Sequence, residues 1–397
     1  MKIGFDASRA FVPEATGTEN YSLNLLRALM RADRKNKQSF SSNKYVVYLR
    51  GKFPKNANFP KNPNFTFRLI GPSRLWTQFS LALETWREPV DLLFVPAHTL
   101  PIMGNPKVKT VVTIHDLGVE YLPGYHQFPQ RYYLDFASRY AAAHADALIA
   151  VSAATKADLM KRYGVDHNKI FVVHEGVDRA FFKRQSKVKV GNVKRKYKIS
   201  GPYVLFVGTI QPRKNLVMLI EAFANVCRLV DKGNKNLNLV IAGKPGWDWD
   251  EILDAPKKFR VEKQVKFLGH VDNRDLPALY TGAVVFAFPS LFEGFGLPIL
   301  EALSCGCPIV ASDIPPHREI SQKLLLPTTK YQLKTKLVPI VLAKPNDKQK
   351  WISILYQYIS QYEKRASILT FPKLNTDSFS WEEAAIATLQ VFRAVLS

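Results

Sequence analysis

Short apolar runs recur along the chain, separated by longer segments in which apolar residues return every three or four positions. In the first half the runs are Lys2–Asp6, Tyr45–Leu49, Leu92–Val95, Val108–Ile114 and Ala147–Val151, several of them β-branched, and they predict strands. Between them, Tyr21–Met30 places Leu23, Leu26, Leu29 and Met30 at helical spacing, and Gln130–His144 is a second long segment. Strand–helix alternation of this kind predicts a parallel sheet covered by helices on both faces. The pattern breaks over residues 183–200 and restarts with Tyr203–Gly208, Leu216–Leu229, Leu239–Ala242, Val265–Leu268, Val284–Phe288, Pro298–Leu303 and Ile309–Ala311. The expected fold class is therefore α/β, in two units of similar size with a cleft between them, where a substrate would bind. The break, partly helical near Val193–Tyr197, marks the approach to their boundary.

Composition narrows this picture. A chain of 397 residues is too long for one ordinary core, and 47% apolar with 22% charged residues describes folded domains rather than a disordered chain. No apolar run approaches the roughly 20 residues needed to span a bilayer. The acid at Asp6 interrupts the place where a secretory signal would build its apolar stretch, so a cytoplasmic protein is expected. Three cysteines, Cys227, Cys305 and Cys307, cannot form a disulfide framework, and the Cys305–Cys307 pair reads as two small core-facing residues rather than a metal site.

Charge adds a partner class. The net charge is +23, and residues 1–200 hold 32 Lys and Arg against 15 Asp and Glu, whereas residues 201–397 hold 24 against 18. An excess of this size points to an anionic partner: phosphate groups, a lipid headgroup surface or nucleic acid. Residues 183–200 carry Lys183, Arg184, Lys187, Lys189, Lys194, Arg195, Lys196 and Lys198 with no acid, but Tyr197 is their one aromatic residue. Without further aromatic side chains for bases to stack on, nucleic-acid binding rests on charge alone.

Two segments carry candidate chemistry. In Pro289-Ser-Leu-Phe-Glu-Gly-Phe-Gly-Leu-Pro-Ile-Leu-Glu-Ala-Leu303 a strand leads through a glycine loop into a helix, with Pro298 suited to the first turn. Gly294 and Gly296 let a ligand approach the backbone, and amides at a helix start favour an anion such as a diphosphate. Glu293 and Glu301 flank that site and suit sugar hydroxyls as hydrogen-bond acceptors. In Phe206-Val-Gly-Thr-Ile-Gln-Pro-Arg-Lys-Asn215 a buried strand ends at Gly208, and Arg213 and Lys214 follow the turn. Ligands gather beyond the carboxyl ends of strands in open α/β sheets, and paired cations there suit a departing diphosphate.

These strings, with Val151-Ser-Ala-Ala-Thr-Lys-Ala-Asp-Leu, Val172-Val-His-Glu-Gly-Val-Asp178 and Phe379-Ser-Trp-Glu-Glu-Ala-Ala385, resemble the retaining GT-B glycosyltransferases of family 4, group 1. The pattern is most similar to bacterial mannosyltransferases of polysaccharide pathways. The resemblance implies two Rossmann-like doubly wound domains facing across a cleft, over residues 1–190 and 191–378, with a C-terminal helix at 379–397 crossing back to the first. It implies that Glu301 binds the ribose and Glu293 the donor sugar. It also implies that Arg213 and Lys214 neutralise the diphosphate with backbone amides near Phe295–Leu297. Gly17 matches the glycine loop that approaches the diphosphate from the first domain. His115, in Thr113-Ile-His-Asp-Leu117, matches a histidine near the sugar's reacting face, with Asp116 as a structural partner. The implied reaction moves a hexose, mannose from GDP-mannose favoured, to a lipid-linked or polysaccharide acceptor by a front-face mechanism with retention, without metal or other cofactor.

Further readings follow from the rest of the chain. Asp248-Trp-Asp250 has the form of a metal-binding D-x-D but reads better as acids opening a helix. Trp76, Phe79, Leu83 and Trp86 form an apolar stripe at helical spacing that reads as a core helix rather than a membrane face. Pro316-His-Arg-Glu319 departs from the family pattern, with Glu319 as the matching glutamate, and leaves residues 321–378 without a detailed reading. Arg31, Arg34, Lys35, Lys37, Lys44, Arg50, Lys52 and Lys55 are candidates for peripheral contact with an anionic membrane on its inner face. Two readings compete: a nucleotide-sugar epimerase on the same fold, and a polyanion-binding protein.

Overall fold

The computed structural model describes residues 1–12, 17–35, 43–51, 62–72, 75–118, 130–230, 236–324, 339–362 and 376–397. Its contacts divide the chain into two compact units: Met1–Gly176 with Phe379–Ser397, and Val177–Ser378.

In the first unit the strands are β1 (Lys2–Asp6), β2 (Lys44–Leu49), β3 (Phe65–Leu69), β4 (Leu92–Val95), β5 (Lys109–Ile114), β6 (Ala147–Ala150) and β7 (Ile170–Val172), all parallel, in the order β3-β2-β1-β4-β5-β6-β7. The helices are α1 (Gly17–Lys35), α2 (Ala82–Arg87, continuing a π turn at Trp76–Leu81), α3 (Gln130–His144) and α4 (Ala153–Tyr163). β4 and β6 are buried along their whole length, as strands covered on both faces should be.

The second unit holds β8 (Tyr203–Val207), β9 (Asn238–Ala242), β10 (Val265–Gly269), β11 (Val285–Phe288), β12 (Ile309–Ser312) and β13 (Ile340–Ala343), also parallel, in the order β10-β9-β8-β11-β12-β13. Its helices are α5 (Lys187–Lys196), α6 (Leu216–Leu229), α7 (Asp250–Phe259), α8 (Leu276–Gly282), α9 (Leu297–Ser304), α10 (Pro315–Leu324) and α11 (Lys348–Ser360). α6 buries Leu216, Leu219, Ile220, Phe223 and Val226, the stripe its period demands. Cys305 and Cys307 are buried, as two small core residues.

Both sheets reverse their strand order once, between β1 and β4 and between β8 and β11. A doubly wound sheet opens a crevice at such a point, beyond the carboxyl ends of the strands. The chain returns to the first unit through α12 (Trp381–Leu396), which packs on α1. Ser380 caps this helix by accepting from the Glu383 amide, and Trp381 meets Tyr21 edge-to-face with centroids 5.8 Å apart.

Three expectations change. The chain passes between units at Gly176–Val177, not near residue 190, because α5 packs on α8 of the second unit. The charge excess moves with it. Residues 1–176 and 379–397 hold 24 Lys and Arg against 16 Asp and Glu, whereas residues 177–378 hold 32 against 17. The stripe at Trp76 is only partly core. Trp76 is buried and its indole N–H donates to Asp6 Oδ1 at 3.2 Å, while Phe79, Leu83 and Trp86 are exposed.

Of the candidate membrane cations, Arg31, Lys44 and Arg50 are exposed. The side chains of Arg34 and Lys35, and all of Lys37, Lys52 and Lys55, lie outside the described residues.

Candidate active site

In the second unit the crevice lies between the ends of β8 and β11, and both candidate segments meet there. Gly208 follows β8 and Gly243 follows β9, two residues so close that a methyl group on Gly243 would collide with the Gly208 carbonyl oxygen. The turn after Gly208 leads into Pro212–Lys214, a single 3-10 turn that presents Arg213 and Lys214. Asn215 follows in the left-handed region at φ 55° and starts α6. Beyond β11 the amide of Leu291 donates to the Arg213 carbonyl at 2.8 Å, tying the two segments together through the backbone.

Side chains complete the junction. Arg213 Nη1 donates to Glu293 Oε2 at 2.8 Å and to the Phe292 carbonyl at 3.1 Å, and Lys214 Nζ donates to Glu293 Oε1. All three side chains are nearly buried, at 14%, 8% and 9% exposure, so water screens these charges little. Burial alone would raise the Glu293 pKa, but Arg213 and Lys214 outweigh it and hold the carboxylate well below its usual range. Two cations against one carboxylate leave the cluster with one positive charge. Lys214 Nζ also stands 5.0 Å from the Phe288 ring centroid.

The loop from Glu293 runs through Gly294, Phe295 and Gly296, all three buried, into α9 at Leu297. Gly296 takes φ 124°, a conformation that L side chains rarely adopt, and no side chain caps α9. A methyl group at Gly296 would stand 3.2 Å from the ring of His317, which lies fully buried on α10. His317 Nδ1 is 2.8 Å from the Ser312 carbonyl, and burial pulls its pKa down to about 4. Sequence reasoning quoted His317 only as a departure. Glu301 lies farther along α9 and accepts from the Tyr280 hydroxyl at 2.9 Å through one oxygen.

The other expected residues belong to the first unit. Gly17 opens α1 with nothing within 4 Å of where a side chain would begin. His115 follows β5 and is buried with both ring nitrogens engaged. Nε2 is 3.1 Å from the Pro96 carbonyl and Nδ1 is 3.2 Å from Glu175 Oε1. The carbonyl can only accept, so Nε2 is the donor to it, and Nδ1 faces the Glu175 carboxyl. Tyr21 meets the imidazole edge-to-face at 4.6 Å. The ring is thus held inward, and neither nitrogen is available as a base in this arrangement. Asp116 accepts from the Gly118 amide at 2.9 Å. His98, beyond β4, was missed. Its Nε2 accepts from the His115 amide at 3.3 Å.

Asp250 opens α7 and Asp248 precedes it, both exposed. Among the described residues no group of three or more His, Cys, Asp or Glu gathers as for a metal ion. No helix among them is long and apolar enough to cross a membrane.

Comparison with known proteins also matches the chain in two parts. The profile described as "Glycosyltransferase Family 4" matches residues 15–181, and that described as "Glycosyl transferases group 1" matches residues 192–368. The chain belongs to this family of glycosyltransferases. Similar curated proteins include O-antigen chain mannosyltransferase B of Escherichia coli, 26% identical over 72% of this chain and 70% of that one. O-antigen chain mannosyltransferase RfbU of Salmonella typhimurium is 28% identical over 56% of each. Among solved structures, Anabaena Alr3699/HepE in complex with UDP and glucose superposes with a TM-score of 0.68 at 18% identity, covering 99% of this chain and 100% of that one. These matches identify a transferase enzyme with a two-unit GT-B fold.

Proposed function

We propose that the enzyme moves a hexose from a nucleoside diphosphate sugar to a glycan or lipid-diphosphate-linked acceptor, with retention and without a metal. The observation that carries this reading is the Arg213–Lys214–Glu293 cluster, which sets a net positive charge beside the α9 N-terminus at a strand-order reversal. As the anomeric carbon–oxygen bond breaks, charge grows on the diphosphate. A preorganised cation pair and a helix terminus stabilise it without rearranging water. In a front-face reaction the acceptor oxygen bonds the anomeric carbon on the face the diphosphate leaves. The acceptor hydroxyl's proton passes to the departing diphosphate oxygen. Glu293 has a pKa far too low to serve as an acid, which fits a role in orienting the cations and the donor sugar. Glu301, beside Tyr280, is assigned to the nucleotide ribose.

Mannose from GDP-mannose is the favoured donor because the curated relatives are named mannosyltransferases. The UDP in the Anabaena complex makes UDP-glucose the second candidate. We place the enzyme in the cytoplasm, peripheral on the inner face of the membrane. Support comes from the net charge of +23 and from the exposed Phe79, Leu83 and Trp86. The test incubates the full chain with each donor and mannosyl or N-acetylglucosaminyl lipid-diphosphate acceptors, with and without EDTA, and reads the new anomeric centre by NMR. An α-mannoside formed equally in EDTA is expected; a β-linked product or loss of activity in EDTA would overturn the mechanism.

A further inference from the structure

The first unit reverses its strand order between β1 and β4, and the crevice there is lined by residues the family reading leaves unassigned. His98 lies three residues past the end of β4, half-buried, its ring stacked on His115 with centroids 5.5 Å apart. Its Nε2 is already committed as acceptor to the His115 amide at 3.3 Å. A neutral imidazole that accepts at Nε2 carries its hydrogen on Nδ1. Burial, with His115 beside it, pulls the His98 pKa down to about 3, so the ring is neutral under ordinary conditions. Among the described residues Nδ1 has no protein partner. His115 cannot take that place, since Glu175 and the Pro96 carbonyl occupy both of its nitrogens.

The charges around His98 identify what it would meet. Arg9 and Asp116 both act on it electrostatically, and Arg9 Nη1 is paired with Glu19 at 3.3 Å. Asp6, at the end of β1, is buried and takes hydrogen bonds from the Ser8 amide and the Trp76 indole. Among the described residues that act on His98 or pair with Arg9, the carboxylates of Asp116 and Glu19 outnumber Arg9, so no net positive charge gathers to hold an anion. A neutral hydrogen-bond donor with a carboxylate nearby suits an uncharged polyhydroxyl ligand.

We propose that His98 is an acceptor-contacting residue, its Nδ1–H donating to a hydroxyl oxygen of an uncharged sugar in the β1–β4 crevice. This rests on the transferase reading and deepens it, because the sugar part of the acceptor, not a phosphate, is what the first unit reads.

The test uses the full chain with nitrogen-15-labelled histidine, titrated with methyl α-mannoside, methyl α-galactoside, methyl α-glucoside, methyl N-acetyl-β-glucosaminide and methyl phosphate. At least one glycoside is expected to shift the His98 Nδ1–H resonance, assigned through its loss in H98A. H98A should weaken that glycoside about tenfold, the worth of one hydrogen bond. H98N, whose amide nitrogen falls where Nδ1 stands, should restore most of the affinity. Response to methyl phosphate alone, or to none of the five, overturns the proposal, as does equal loss in H98A and H98N. Affinity for GDP and UDP, measured on the same samples, should be unchanged by either variant. Absence of nucleotide binding in the wild type would instead overturn the donor reading, so the two failures are distinguishable.

Discussion

The two crevices share a strand order and differ in what fills them. In the second unit, Arg213, Lys214 and Glu293 form a nearly buried ion cluster with a cation in excess, beside a glycine loop and a helix start. In the first, His115 packs against Glu175, a neutral His98 stacks on His115, and carboxylates outnumber Arg9 among the described residues. The same sheet thus supports one site suited to a dianionic leaving group and one suited to hydroxyls. Strand order places a site; the side chains at the strand ends choose its ligand.

The difference can be broken most directly by removing the carboxylate on each side. E293A strands two buried cations, of which the Arg213 guanidinium cannot shed its charge, and should cost about 3–5 kcal/mol of unfolding free energy. E175A removes one hydrogen-bond partner from a buried imidazole, so its cost should be about 1–3 kcal/mol. Urea denaturation of both variants checks this. Equal losses would mean that the two pairs are energetically alike and that the contrast in charge is not structural.

A smaller effect sharpens the second site alone. The His317 pKa falls from an ordinary 6.5 to about 4 on folding. The unfolded chain therefore binds a proton that the folded chain refuses. Stability is fully present above pH 6.5 and falls as the pH drops toward 4, by on the order of 3 kcal/mol over that window. H317N keeps a donor for the Ser312 carbonyl but has no titrating ring, so its stability should fall less across the same range. Parallel curves for the two proteins would remove His317 as the cause.

Much of the fold was legible. Leu92–Val95 coincides with β4 and Ala147–Val151 contains β6 because a strand buried on both faces is a bare apolar run. β3 and β7 escaped notice as edge strands, short or with mixed exposure, and β13 lay in a stretch where no detailed reading was made. The boundary near residue 190 followed the charge run, but α5 carries that run as an exposed helix of the second unit, so counting charge by halves assigned it to the wrong side. At the site, each motif could be read alone. What spacing cannot convey is that Arg213 and Glu293, 80 positions apart, share a hydrogen bond. His98 left no sequence signal, since its importance depends on β4 lying next to β1.

The central claim is that Arg213 and Lys214 form the diphosphate site of this transferase. Calorimetric titration of the full chain and of the double variant R213A/K214A with GDP and UDP, in EDTA, tests it most directly. One nucleotide should bind the wild type, and the double variant, still folded by circular dichroism, should bind it about a hundredfold more weakly. Equal affinity of the two proteins for that nucleotide would contradict the account.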